Sequence, residues 1–143
     1  MNSIAVRYIL APLSAFPVGL AMCLLQPEAP PAQEQKKQVI ELSAKKYEYS
    51  RSPLHIKVGA KILLNITATD HDHGFKIAVV PDGAESSGGG LLFTSPQDCW
   101  QLKKGETTAI GFVAQTPGTY TFKCCHSCGL GHRGMKGQII VEQ

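Results

Sequence analysis

The stretch from Cys124 to Met135 constrains this chain more than any other. It reads Cys-Cys-His-Ser-Cys-Gly-Leu-Gly-His-Arg-Gly-Met. Cys124, Cys128, His132 and Met135 fall at the spacing C-x3-C-x3-H-x2-M. Thiolate, imidazole and thioether together select copper among the common biological metals. The window holds three of the five cysteines, and Met135 is the only methionine beyond residue 22. A structural disulfide is the plain alternative for two thiols, and zinc is the plain alternative metal, since Cys2His2 suits a tetrahedral zinc. Histidine and methionine following in register argue for a metal, and the methionine argues for copper. The rest of the chain then has to supply a rigid frame and another nitrogen ligand.

The 143 residues suffice for one domain with a core. A net charge of +3, with the basic residues dispersed, gives no nucleic-acid footprint. Met1 to Arg7 carries one positive charge, and Tyr8 to Leu25 is apolar but broken by Pro12 and Pro17. Residues 1–25 therefore read as an export signal or a short membrane anchor. Gly19-Leu20-Ala21 fits the approach to a cleavage site. Leu20-Ala21-Met22-Cys23 loosely matches a lipobox, with Met22 ill suited to its position. Export to the periplasm, or to the outer face of the inner membrane, is expected; cleavage, lipidation at Cys23 and anchoring stay open. Such a compartment is oxidising, so its cysteines belong in disulfides or on metal. Residues 26–37, with Pro27, Pro30 and Pro31, read as a linker, and the folded unit as 38–143.

That unit reads as strands. Ile40 and Leu42 alternate with Val39 and Glu41, and Leu54, Ile56 and Val58 with His55 and Lys57. His55 should face solvent. Ile62, Leu64, Ile66 and Ala68 form one face of a strand running into Asp70-His71-Asp72-His73-Gly74-Phe75. His73, at a strand junction, is the candidate for the missing nitrogen; His71 is read as a surface residue and Asp70 as a hydrogen-bonding support. Pro81 to Asp98 reads as one long surface connection, in which Leu91, Leu92 and Phe93 either pack down or form a patch. Trp100 is read as core. Tyr120, Phe122 and Cys124 share a face, which aims Cys124 inward at a strand end. Gly137 to Val141 is the last strand. Cys99 and Cys125 have no assigned role, and a disulfide between them would leave no loose thiol. Short strands separated by turns, with no helical period, give an all-β antiparallel sandwich.

These residues resemble a known family. Tyr120-x-Phe122-x-Cys124, the Cys/His/Met loop, and Met135-x-Gly137-x-Ile139-x-Val141 are similar to the cupredoxins, Greek-key β-sandwiches. Within them the chain looks most like the CuA branch of cytochrome c oxidase subunit II and nitrous oxide reductase. Asp70, His73, Gly74 and Phe75 match that branch's upstream element, and the loop matches its ligand spacing. The resemblance implies two copper ions bridged by Cys124 and Cys128. His73 and His132 would each terminate one copper. Met135 would be a weak axial ligand on one, and the backbone carbonyl of His126 on the other. The family usually has glutamate at the His126 position, where it helps bind magnesium at a subunit boundary; histidine here puts that role in question. Cys125 is an extra thiol in the loop.

The expected function is one-electron transfer by a binuclear CuA-type centre, as the subunit II-like electron-accepting module of a terminal oxidase. The expected partner is a c-type cytochrome or an oxidase subunit. No open coordination position or acid–base pair suggests catalysis by the chain alone. A periplasmic copper chaperone or store is one alternative. A mononuclear blue-copper carrier using His73, one cysteine, His132 and Met135 is another.

Overall fold

The structure is a computed structural model and describes residues 36–85 and 89–143. The export segment with Cys23, most of the linker, and Gly88 lie outside the described residues. The strands are β1 (Gln38–Lys45), β2 (Glu48–Tyr49), β3 (Leu54–Lys57), β4 (Lys61–Ala68), β5 (His73–Ile77), β6 (Leu91–Phe93), β7 (Trp100–Leu102), β8 (Thr107–Ala114), β9 (Gly118–Lys123) and β10 (Lys136–Glu142). One 3-10 turn spans His132–Gly134. Two five-stranded sheets form, in the orders β2-β1-β4-β8-β6 and β3-β10-β9-β5-β7.

Alternation explains the core. Ile40, Leu42 and Ala44 of β1, Ile62, Leu64, Ile66 and Ala68 of β4, and Ile110, Phe112 and Ala114 of β8 point inward from the first sheet. Leu54 and Ile56 of β3, Tyr120 and Phe122 of β9, and Ile139 and Val141 of β10 meet them from the second. Residues two apart on a strand share a face, so each element buries one side. His55 faces solvent, as its register requires, and pairs with Glu142 at 2.8 Å.

The all-β sandwich stands, but two of its pairings are parallel: β1 with β4, and β3 with β10. Period-2 patterning says which face is buried and nothing about the direction of the neighbour. The 81–98 connection is also not wholly loop. Leu91–Phe93 is β6, paired with β8, and Leu91 is buried while Leu92 is exposed. Trp100 is buried, with its ring 6.2 Å from that of Phe75 and 5.1 Å from that of Phe93.

This topology places the sequence motifs together. β5 and β9 are antiparallel neighbours, with Lys76 opposite Lys123. The start of β5, at His73, therefore lies at the same end of the sheet as the exit of β9, at Cys124. The Cys124 N–H donates to the Met135 carbonyl at 2.9 Å, closing the loop between β9 and β10 at that end.

Candidate metal centre

Cys124, Cys128, Met135 and His73 are all buried, and His73 is the only fully buried polar or charged residue among those described. Cys124 and Cys128 are free thiols with their sulfurs 3.6 Å apart. The Cys124 thiol also donates to the His126 carbonyl at 3.2 Å. His132, at the start of the 3-10 turn, brings Nδ1 to 3.9 Å from Cys128 Sγ. Met135 is fully buried where that turn meets β10, and its N–H donates to the His132 carbonyl at 3.1 Å.

Two groups of donors emerge. In one, Cys124, Cys128 and His132 offer donor atoms within 4.8 Å of one another; in the other, His71, His73 and Cys128 do the same. Cys128 belongs to both. The sequence placed His73 here but left His71 on the surface. The available signal was its position two residues before His73.

Asp70 organises the histidines. Its Oδ1 lies 2.7 Å from His73 Nε2, and its carboxylate also accepts from the backbone N–H of Lys46 at 2.8 Å and of His71 at 2.9 Å. Partial burial would raise its carboxyl, but the hydrogen bonds from His73, His71 and Lys46 outweigh that and hold it well below the ordinary carboxylate range. An ionised carboxylate only accepts, so His73 Nε2 carries the proton. A neutral ring then leaves Nδ1 as a lone pair. His73 Nδ1 is buried with no hydrogen-bond partner. A buried, unpartnered acceptor, oriented from behind by a carboxylate and grouped with thiols, fits a metal. Thiols and imidazoles grouped in this way fit copper.

Three supports were not legible in the motif. Tyr49, on β2, donates its hydroxyl to the Gly74 carbonyl at 2.7 Å, immediately after His73. Burial first, then the adjacent Cys124 and Cys128, pushes that hydroxyl above its usual range, so it remains a donor. Cys99 and Cys125 form a disulfide that ties β7 to the ligand loop. It lies over Gly74, where a Cβ would sit 2.7 Å from Cys125 Sγ and 3.0 Å from Cys99 Sγ. The Tyr47 ring packs on Gly129 and Gly131; Gly129 has φ +118°, a region that side chains disfavour.

Burial, together with hydrogen bonding to Cys124, pushes the Cys128 thiol up to about 11. A metal ligates the thiolate, so binding releases that proton and strengthens as pH rises.

Fold and donor set together define a cupredoxin-type copper domain. The family profile described as multicopper oxidase matches residues 22–143, and the chain belongs to that family. Two cytochrome c oxidase subunit 2 sequences from Thermus thermophilus are 28% identical over 97 residues; the match covers 68% of this chain and 60% and 48% of theirs. The chain thus spans about half to three-fifths of those relatives. Among solved structures, auracyanin A, a "blue" copper protein from Chloroflexus aurantiacus, superposes with a TM-score of 0.56 at 16% identity, over 75% of this chain and 100% of that one. The periplasmic domain of cytochrome oxidase subunit II from Bradyrhizobium japonicum does so with a TM-score of 0.55 at 16% identity, over 73% and 83%. These two likenesses are of fold.

Proposed function

We propose that this chain carries single electrons through a binuclear, CuA-type copper centre. The observation that carries this reading is Cys128, whose sulfur is common to two three-donor groups while a second free thiol lies 3.6 Å away. Cys124 and Cys128 would bridge the metals, His73 and His132 would each terminate one, and Met135 and the His126 carbonyl would be the weak axial donors. Two coppers sharing thiolates spread one unpaired electron over both metals, so bond lengths change little and transfer is fast. The chain's own contribution is positional. Asp70 orients His73, Tyr49 and the Cys99–Cys125 disulfide hold Gly74 and the loop, and burial of Cys124, Cys128 and Met135 limits water.

The relatives named as oxidase subunit 2 support a place in a respiratory electron path, with a c-type cytochrome or an oxidase subunit as partner and an extracytoplasmic location. Leu130, fully exposed on the ligand loop beside His132 and Arg133, offers an apolar contact for that partner. The test is to load the chain with copper, count the metal and record the paramagnetic resonance spectrum. Two coppers sharing one electron give more hyperfine lines than one. A saturating ratio of one copper with an isolated-copper pattern sinks the reading. That result would favour the blue-copper alternative, with which the auracyanin likeness of fold agrees but which leaves one thiol without a role.

A further inference from the structure

We propose that His71 is a copper ligand in its own right, completing with His73 and Cys128 a three-donor site that holds the first Cu(I) ion taken up. This deepens the copper reading above and rests on it. One nitrogen from each ring and the Cys128 sulfur lie within 4.8 Å of one another. A metal about 2.0–2.3 Å from each donor needs spacings of this order, closed by small side-chain rotations. Two imidazoles and one thiolate suit a soft monovalent copper.

The surroundings of His71 match those of a ligand. Its ring packs edge-on against that of His73, with centroids 4.1 Å apart. Its Nδ1 is buried and lies 2.8 Å from the same Asp70 Oδ1 that holds His73. A small ring rotation would direct an Nδ1 proton at the carboxylate and leave Nε2 as a lone pair on the Cys128 side. One carboxylate would then orient two imidazoles, as carboxylates behind metal-bound histidines do. At present Nε2–H donates a hydrogen bond to the Cys128 carbonyl at 3.2 Å; copper would replace that bond, with the ring proton passing to Nδ1 beside the carboxylate. His71 is also the accessible member: its side chain is 28% exposed and that of His73 is not exposed at all. An arriving ion therefore meets His71 before it reaches the buried donors. Binding exchanges the Cys128 S–H proton for copper, and the proton leaves to water; no electron moves.

The experiment is imidazole nitrogen-15 NMR on the full chain with reduced Cys124 and Cys128, given one equivalent of Cu(I) without oxygen. His71→Asn and His73→Asn assign the signals. The expected result is a ligation shift at both His71 and His73. In His71→Asn the first-copper affinity, measured against a Cu(I) chelator, should fall about tenfold or more, while excess copper still fills the site. An unmoved His71 nitrogen at one equivalent overturns the proposal, and this readout in the unsubstituted chain holds even where a variant folds poorly. Copper count at saturation is read separately: a single copper would defeat the binuclear reading while leaving a shifted His71 intact.

Discussion

Cys128 is the residue on which both donor groups converge, so the two cysteines should not respond alike to substitution. Cys128→Ser removes the sulfur common to both groups and should abolish any two-copper spectrum, leaving weak binding at most. Cys124→Ser spares His71, His73 and Cys128 and should retain one copper. Metal analysis with paramagnetic resonance on the two variants checks this; equal losses would show that Cys128 has no special place. Single residues were unevenly legible. Spacing alone singled out Cys124, Cys128, His132 and Met135, because ligand chemistry demands those residue types in that order. His71 was not legible, since its membership depends on a ring packing on His73 and a carboxylate reaching both.

Among the elements, the start of β5 and the loop from β9 to β10 present the ligands, and the Cys99–Cys125 disulfide fastens that loop to the start of β7. The bridged cysteines are 26 residues apart, and closing a loop of that size is worth about 3 kcal/mol of unfolded-chain entropy. A Cys99→Ser/Cys125→Ser double variant should lower the unfolding free energy of the metal-free protein by about 2–4 kcal/mol in guanidinium titrations. With copper bound the loss should shrink, because the metal itself ties the loop to β5. Gly74→Ala tests the same junction from the other side. Its Cβ would meet Cys125 Sγ and the His126 nitrogen at 2.7 Å each, so the ligand loop must move. A loss of about 1–3 kcal/mol is expected, with weaker copper binding; unchanged melting and copper affinity would contradict the packing. The sequence marked Gly74 only as part of an Asp-x-x-His-Gly-Phe motif. Its reason is the disulfide, formed by residues 26 apart whose proximity depends on the pairing of β5 with β7.

For the whole molecule, the metal-free fold should be most stable over a bounded pH range. The Cys128 thiol is raised from 9.0 to about 11 on folding, so its contribution is present below about 9 and lost as pH rises towards 11. Asp70 is lowered from 3.8, so its contribution is present above about 3.8 and lost as pH falls further. Thermal midpoints plotted against pH should show a plateau between these limits and a decline on either side. Copper should shrink the alkaline decline, since the bound thiolate carries no proton to lose, while the buried Tyr49 hydroxyl, also raised on folding, keeps a part of it above about 10; an unchanged alkaline limb would refute Cys128 as a ligand. The sequence by itself determined the all-β class, the buried faces of β3, β4 and β9, and the identity of the soft-metal loop. These are local properties, fixed by a period of two residues and by ligand chemistry within twelve positions. Only the tertiary structure decided the parallel pairings, the strand at Leu91–Phe93, the Cys99–Cys125 bridge and the arrival of His71 beside His73 and Cys128. Each of these joins segments distant in the chain, and no local pattern records which distant segment will be the neighbour.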